Sequence, residues 1–207
     1  MQNFSKNIPR LILSDKYTNM IIGVTGTLGA GKDTVAEYLE QKGFIHFSLS
    51  DAIREECDNQ GLPKDRDTLT SLANKLRATE GYDVLAKRII KKINIENRKK
   101  YIITSIRNPK EAEYLKNQDN FIFVAVDAPI ELRYERIKNR QREGDEISFE
   151  KFRLQEEREM EGGEGKQNLA PLIKMADYTI INDGNIEQLK EKVDEFINSL
   201  LPFVKGD

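Results

Sequence analysis

Along the chain, short runs of apolar and β-branched residues alternate with stretches in which apolar residues return every three or four positions. Met20-Ile21-Ile22-Gly23-Val24-Thr25 reads as a buried strand, followed by glycines and then a helical pattern from Lys32 to Lys42. Gly43 stands where such a helix would end. Phe44-Ile45-His46-Phe47 predicts a second strand, and Tyr101-Ile102-Ile103-Thr104, Phe121-Ile122-Phe123-Val124-Ala125-Val126 and Tyr178-Thr179-Ile180-Ile181 predict three more, each separated by helical text. Strands that are apolar throughout, rather than at every second residue, predict a parallel sheet covered by helices on both faces, with right-handed crossovers. In the last helix Asn185 and Gln188 form a cap, and Ile186, Leu189, Val193, Phe196, Ile197 and Leu200 share one face.

Two stretches fall outside this alternation, residues 50–100 and 140–174. The first reads as a helical insertion with Leu69, Leu72, Ala73 and Leu76 on one side; the second is dominated by charge and glycine and reads as a flap that buries little. Residues 1–19 read as an N-terminal extension ahead of a single domain over 20–207, and no internal repeat is visible.

Composition narrows the class of protein. At 207 residues, 38% hydrophobic and 33% charged, the chain suits one globular domain with a buried core. It has no apolar run of bilayer length, and Leu11-Ile12-Leu13 is too short for the core of a signal peptide, so a cytoplasmic protein without a membrane partner is expected. A net charge of −2 gives no general attraction to nucleic acid. One cysteine, Cys57, and one histidine, His46, exclude an internal disulfide and a Cys/His zinc cluster, and both read as packing or surface residues rather than catalysts.

The informative chemistry is local. Gly26-Thr27-Leu28-Gly29-Ala30-Gly31-Lys32 has the spacing G-x-x-x-x-G-K between a predicted strand and a predicted helix. Glycines let backbone N–H groups curl around phosphate oxygens, the helix start adds its positive dipole end, and Lys32 brings a full charge to the β and γ phosphates. Residues 27–34 are therefore the expected ATP-binding segment. The usual Ser/Thr after the lysine is replaced by Asp33, with Thr34 next. The Thr34 hydroxyl, with Asp33 acting through waters, is expected to hold Mg²⁺.

GTLGAGKDTVAEYLEQKGF resembles the opening of the adenylate-kinase-like nucleoside and nucleotide kinases, and the likeness continues from about Met20 to the end of the chain. It implies a three-layer α/β P-loop kinase fold with a five-stranded parallel sheet in the order 2-3-1-4-5. Ser48-Leu49-Ser50-Asp51-Ala52-Ile53-Arg54 looks like the family's S-x-x-D-x-x-R segment, which implies acceptor binding by Ser50, Asp51 and Arg54. Ser105-Ile106-Arg107-Asn108-Pro109 takes the place of D-G-F-P-R and makes Arg107 a second arginine for the acceptor phosphate. Val126-Asp127-Ala128-Pro129 with Arg136 and Arg140 is similar to the strand and helix leading into the lid, implying that both arginines touch the transferring phosphate. Residues 140–174 would then be the lid, with Arg142, Arg153 and Arg158 as lid arginines, and Asn182-Asp183-Gly184 the loop against the donor's adenine. Arg66 and Arg77 lie where they would reach the acceptor's base or sugar.

One departure stands out: Thr104 occupies the end of the third strand, where many relatives carry a carboxylate for the metal. The chain also resembles dephospho-coenzyme A kinase and, most of all, the archaeal and viral dephospho-coenzyme-A-kinase-like and deoxynucleotide-kinase-like branch with its GKDT and SIRNP elements.

These readings converge on a kinase using ATP and Mg²⁺ to phosphorylate a nucleoside or deoxynucleoside monophosphate, with Lys32, Arg107, Arg136, Arg140 and Arg158 as the catalytic charges. The expected partners are small nucleotides, and the protein is a monomer or homodimer. Dephospho-coenzyme A kinase, with Asp51 as a base, is the alternative enzyme. A noncatalytic nucleotide switch is the alternative of another class, although neither an N-K-x-D segment nor a D-x-x-G after the third strand is present.

Overall fold

The computed structural model of the chain describes residues 20–93, 100–140, 147–161 and 168–200. In chain order the elements are β1 (Ile21–Gly26), α1 (Lys32–Gln41), β2 (Phe44–Ser48), α2 (Leu49–Gln60), α3 (Arg66–Glu80), α4 (Val84–Ile93) and β3 (Lys100–Thr104), followed by α5 (Pro109–Lys116), β4 (Phe121–Asp127), α6 (Ile130–Arg140), α7 (Phe149–Met160), α8 (Leu169–Met175), β5 (Tyr178–Ile181) and α9 (Ile186–Leu200). The strands form one sheet in the order β2-β3-β1-β4-β5, and every pairing is parallel. The fold is the P-loop kinase-like one the motifs implied.

Each central strand is apolar throughout because it feeds two cores. Ile21, Tyr101, Ile103 and Phe123 point to one side and pack with Leu49, Ile53, Cys57, Leu85, Ile89, Leu115 and Leu172. Their neighbours Ile22, Ile102 and Val124, with Val126 and Ile180, point to the other and pack with Val35, Leu39, Leu189, Val193 and Phe196. A one-residue slip in any strand would exchange the two sets. Asn185 caps α9 reciprocally with Gln188, at 2.9 Å in both directions. Ile186, expected on its buried face, is instead 59% exposed at the first turn.

Burial redraws the two irregular stretches. In the described part of residues 50–100, α2 and α4 line one face of the sheet through Ala52, Ile53, Ala86 and Ile90, and α3 rides outside them. Residues 140–174 bury more than the charge-rich text suggested. Phe152 is 1% exposed and Leu172 fully buried, and α8 packs on β1 and α5, so the end of the stretch read as a lid belongs to the sheet's cover. The apolar residues responsible are too few and too scattered among glutamates to show a period.

The closest backbone approach is at the end of β1. Gly26 has φ 143°, and a Cβ there would lie 1.9 Å from the Val126 carbonyl oxygen on β4. Both the dihedral and the space demand glycine. Gly26→Ala is expected to lower unfolding free energy by about 3 kcal/mol, read as an earlier midpoint in urea denaturation with an unchanged slope.

Candidate functional site: a phosphate cradle and a neighbouring basic cavity

The loop from Gly26 into α1 is held from three directions. Gly29 and Gly31 sit at φ 79° and 99°, which turn the chain back over the start of α1. The Thr27 hydroxyl donates to Asp127 Oδ1 at 2.8 Å, and that same oxygen receives the Ala128 N–H. Asp127 thus anchors the loop to the end of β4. Asn182 does the same from β5: its N–H donates to the Asp127 carbonyl, and its Nδ2 donates to the Ala30 carbonyl at 2.9 Å. Helix α1 begins at Gly31 without a side-chain cap, which leaves its first N–H groups for an anion.

The third anchor was not visible in the sequence. Arg133, on α6, is 3% exposed. Its Nε donates to the Ala128 carbonyl, its Nη1 to the Leu28 carbonyl in the loop, and its Nη1 and Nη2 to the Glu156 carboxylate on α7. In the sequence it is one arginine among many in a charged helix, and only its spacing, four residues before the hydrophobic Ile137, hinted that it faces inward.

A cavity of about 280 Å³ opens in front of the loop. Lys32 and Asp33 line it from α1, Thr104, Ser105 and Arg107 from the end of β3, Arg140 from α6, and Gln155 and Glu159 from α7. The Lys32 ammonium donates to the Thr27 carbonyl at 2.6 Å. Burial, assisted by the positive charges of Arg107 and Arg133 and opposed by Asp33 and Glu159, lowers its pKa from 10.5 to about 8.

Not every expected residue faces this cavity. Thr34 is half-buried in the first turn of α1 and is not among the lining residues. Arg136 turns away to the loop after β5, donating to the Asn182 and Gly184 carbonyls, each at 3.0 Å, and to Asn182 Oδ1 at 3.2 Å. That contact fastens it to the loop after β5, and it is not among the residues that line the cavity. Arg158 is exposed on α7, which reaches the cavity through Gln155 and Glu159, and Arg153 is exposed and paired with Glu150 at 3.0 Å. Arg142 and the side chain of Arg66 lie outside the described residues.

A second cavity, about 870 Å³, adjoins the first, and Ser105 and Arg107 line both. Among the described residues, Arg54, Lys64, Arg77 and Arg107 contribute to its wall against the one carboxylate of Asp67, beside Ser50, Thr70 and Asn74 and an apolar side of Leu49, Ile53, Leu69 and Leu85. Arg54 pairs with Asp51 at 2.9 Å. The other oxygen of Asp51 accepts the Ser48 N–H in the capping box of α2, so its carboxylate is engaged on both sides.

The segment Ser105–Pro109 joins the two cavities, and each residue has a separate task. Ser105 takes φ 61°, unusual for a side chain bearing a Cβ, and its hydroxyl meets that of Ser48 at 2.8 Å. The Ile106 carbonyl accepts from buried Thr25. Asn108 caps α5, and Pro109 starts it. Glu111, fully buried, receives the N–H groups of Arg107 and Asn108 on one oxygen and Arg77 Nη2 on the other, at 3.0 Å. Arg77, expected on the acceptor's base or sugar, therefore also ties α3 to the loop that carries Arg107.

Comparison with known proteins agrees with the fold. A family model described as an AAA domain matches residues 22–162. A UPF0200 protein of Sulfurisphaera tokodaii is 34% identical over 181 residues, covering 87% of this chain and 97% of the relative. The chain belongs to the UPF0200 family. A UPF0200/UPF0201 protein of Archaeoglobus fulgidus is 33% identical over 87% of the chain, which spans 55% of that longer relative. Among solved structures, dephospho-CoA kinase from Campylobacter jejuni superposes with a TM-score of 0.57 at 18% identity, covering 87% of this chain and 96% of that one. Shikimate kinase from Acinetobacter baumannii superposes with a TM-score of 0.55 at 19% identity, covering 90% and 97%. At such identity the likeness is one of fold. No helix among the described residues is long and apolar enough to cross a membrane.

Two outcomes test the site. A lysine whose pKa is lowered to about 8 is charged below that pH and neutral above it in the empty cradle, and a bound polyphosphate restores the charge. Affinity for a nucleoside triphosphate should therefore fall as pH rises through about 8. Calorimetry in buffers of different ionisation enthalpy should show proton uptake on binding there, absent in Lys32→Met. Glu111→Gln should leave triphosphate affinity within about twofold while costing about 2 kcal/mol of stability in chemical denaturation, because Arg77 is left buried without its counter-charge.

Proposed function

We propose that this UPF0200 protein is a kinase that transfers the terminal phosphoryl group of ATP to the phosphate of a nucleoside or deoxynucleoside monophosphate. The observation that carries the reading is the shared wall. The cradle cavity and a larger basic cavity meet at Ser105 and Arg107, so donor and acceptor phosphates held in each would face one another across a single guanidinium.

The protein's work in such a transfer is to align the two phosphates and to neutralise charge as the transferring group passes between them. The loop N–H groups and Lys32 suit the donor's β and γ phosphates, and Arg140 approaches the same cavity from α6. Arg54, Lys64, Arg77 and Arg107 suit a dianionic acceptor, while Leu49, Ile53, Leu69 and Leu85 offer an apolar face for a base. Arg136, fastened to the carbonyls of Asn182 and Gly184, fits a role at the donor's base.

Asp33 and the Thr104 hydroxyl bring hard oxygen atoms into the cradle cavity, which suits Mg²⁺ held chiefly by phosphate oxygens and waters. Bound there, Mg²⁺ would neutralise charge on the β and γ phosphates.

The engagement of Asp51 argues against dephospho-coenzyme A kinase. A hydroxyl acceptor benefits from a base to take its proton, and the Asp51 carboxylate is held by Arg54 and by the cap of α2. A monophosphate acceptor needs no such base.

The test is ADP formation from MgATP with a panel of ribo- and deoxynucleoside monophosphates and dephospho-coenzyme A, with Lys32→Ala as the blank. Turnover with one or more monophosphates is expected. Turnover with dephospho-coenzyme A alone would replace the reading with its rival, and nucleotide binding without turnover would favour a switch. Within the proposed reaction, Arg107→Ala should lower kcat/KM by about 10³-fold or more.

A further inference from the structure

The chain's single histidine is not a bystander in the core. His46 lies on β2 in register with Ile102, and its ring crosses diagonally to Thr104 on β3, with Nε2 and Oγ1 2.8 Å apart. On its other side, Nδ1 is 3.6 Å from Glu40 Oε1 on α1. Thr104 is 8% exposed and lines the cradle cavity together with Lys32 and Asp33. A glutamate, an imidazole and a hydroxyl thus form a row that runs from the surface of α1 to the cavity where phosphates and a metal ion would sit.

We propose that His46 is a positioning residue that fixes the Thr104 hydroxyl as a hydrogen-bond acceptor toward the cradle cavity, so that this row takes the place of the carboxylate usual at the end of the third strand. The inference rests on reading that cavity as the site of a magnesium-bound triphosphate.

The polarity follows from the donor and acceptor inventory. A carboxylate only accepts, so Glu40 favours the tautomer of neutral His46 with its proton on Nδ1, even at a distance too long for a direct hydrogen bond. Nε2 is then an acceptor, and the Thr104 O–H must donate to it. With its proton committed, the hydroxyl has only lone pairs to present to the cavity. Such an oxygen suits a water of a hydrated cation or the Lys32 ammonium, and does not suit a bare phosphate oxygen. An aspartate at the same place would offer the same kind of atom with a full charge. Here the charge stays one imidazole away, on Glu40. The opposite tautomer would turn Thr104 into a donor and reverse its preference, so the arrangement has a defined and measurable sign.

Because His46 is the chain's sole histidine, its tautomer can be read without assignment by long-range ¹H–¹⁵N correlation on the uniformly labelled full chain. The expected spectrum of the neutral ring has the proton on Nδ1, with the Nε2 resonance moving when Thr104→Val removes the hydroxyl. MgATP-analogue binding should shift the His46 resonances in the parent and not in Thr104→Val. In turnover, Thr104→Val and His46→Leu should each lower kcat about 10- to 100-fold, and Thr104→Ser should restore it. A proton on Nε2 of the neutral ring, resonances indifferent to the bound analogue, or parental kcat in both variants would overturn the proposal. Should the parent phosphorylate no acceptor, the kinase reading falls, while the spectra still decide this one.

Discussion

A buried guanidinium has to be paired on every side, and the cradle depends on one that is. Arg133 spends its donors on the Ala128 carbonyl, the Leu28 carbonyl and the Glu156 carboxylate. Those three contacts join the turn after β4, the phosphate loop and α7 through one side chain. A loop rich in glycine has little side-chain packing to define it, so its shape has to be imposed from outside. Arg133 acts from below, Asp127 from the end of β4, and Asn182 from the end of β5. All three partners stand at or near the carboxyl ends of strands, the edge where an open parallel sheet offers its crevice.

The same dependence on imposed shape appears at Ser105–Pro109. Ser105 accepts a left-handed backbone, Thr25 holds the next carbonyl, and Glu111 collects two backbone N–H groups and Arg77. Arg107 is carried on a short segment with almost no freedom of its own. A guanidinium on a mobile stem would lose much of its value in ordering entropy, and this one is mounted on a braced turn.

Much of this was legible in the sequence. The five apolar runs stand for the five strands almost residue for residue; in β1, β3 and β4 that is because a strand buried on both faces leaves a signal that needs no period. The glycine loop was legible because its spacing and its flanks agree, whereas SIRNP was read by likeness alone and the structure adds that Asn108 and Glu111 cap the start of α5. What could not be read was partnership across distance. Arg133 drew no notice in the sequence and is buried, since nothing local reveals that Glu156, 23 residues later, returns to meet it. Arg136 looked like a phosphate contact and is fastened to Asn182, 46 residues away. Likewise Leu169 and Leu172 are two apolar residues after a charged tract, and only the sheet they cover explains them. Short helices that are buried by their neighbours carry too few residues to declare a face.

Arg107, one of two residues common to both cavities, has a thermodynamic consequence. When one guanidinium forms part of two adjoining chambers, an anion in either alters the charge and the orientation that the other chamber meets. Whatever factor the first occupant imposes on the second, the second must return to the first, because the cycle of binding steps closes. Should both chambers take anions as proposed, Arg107 would couple them, with order of filling a matter of kinetics and the mutual preference a property of the fold.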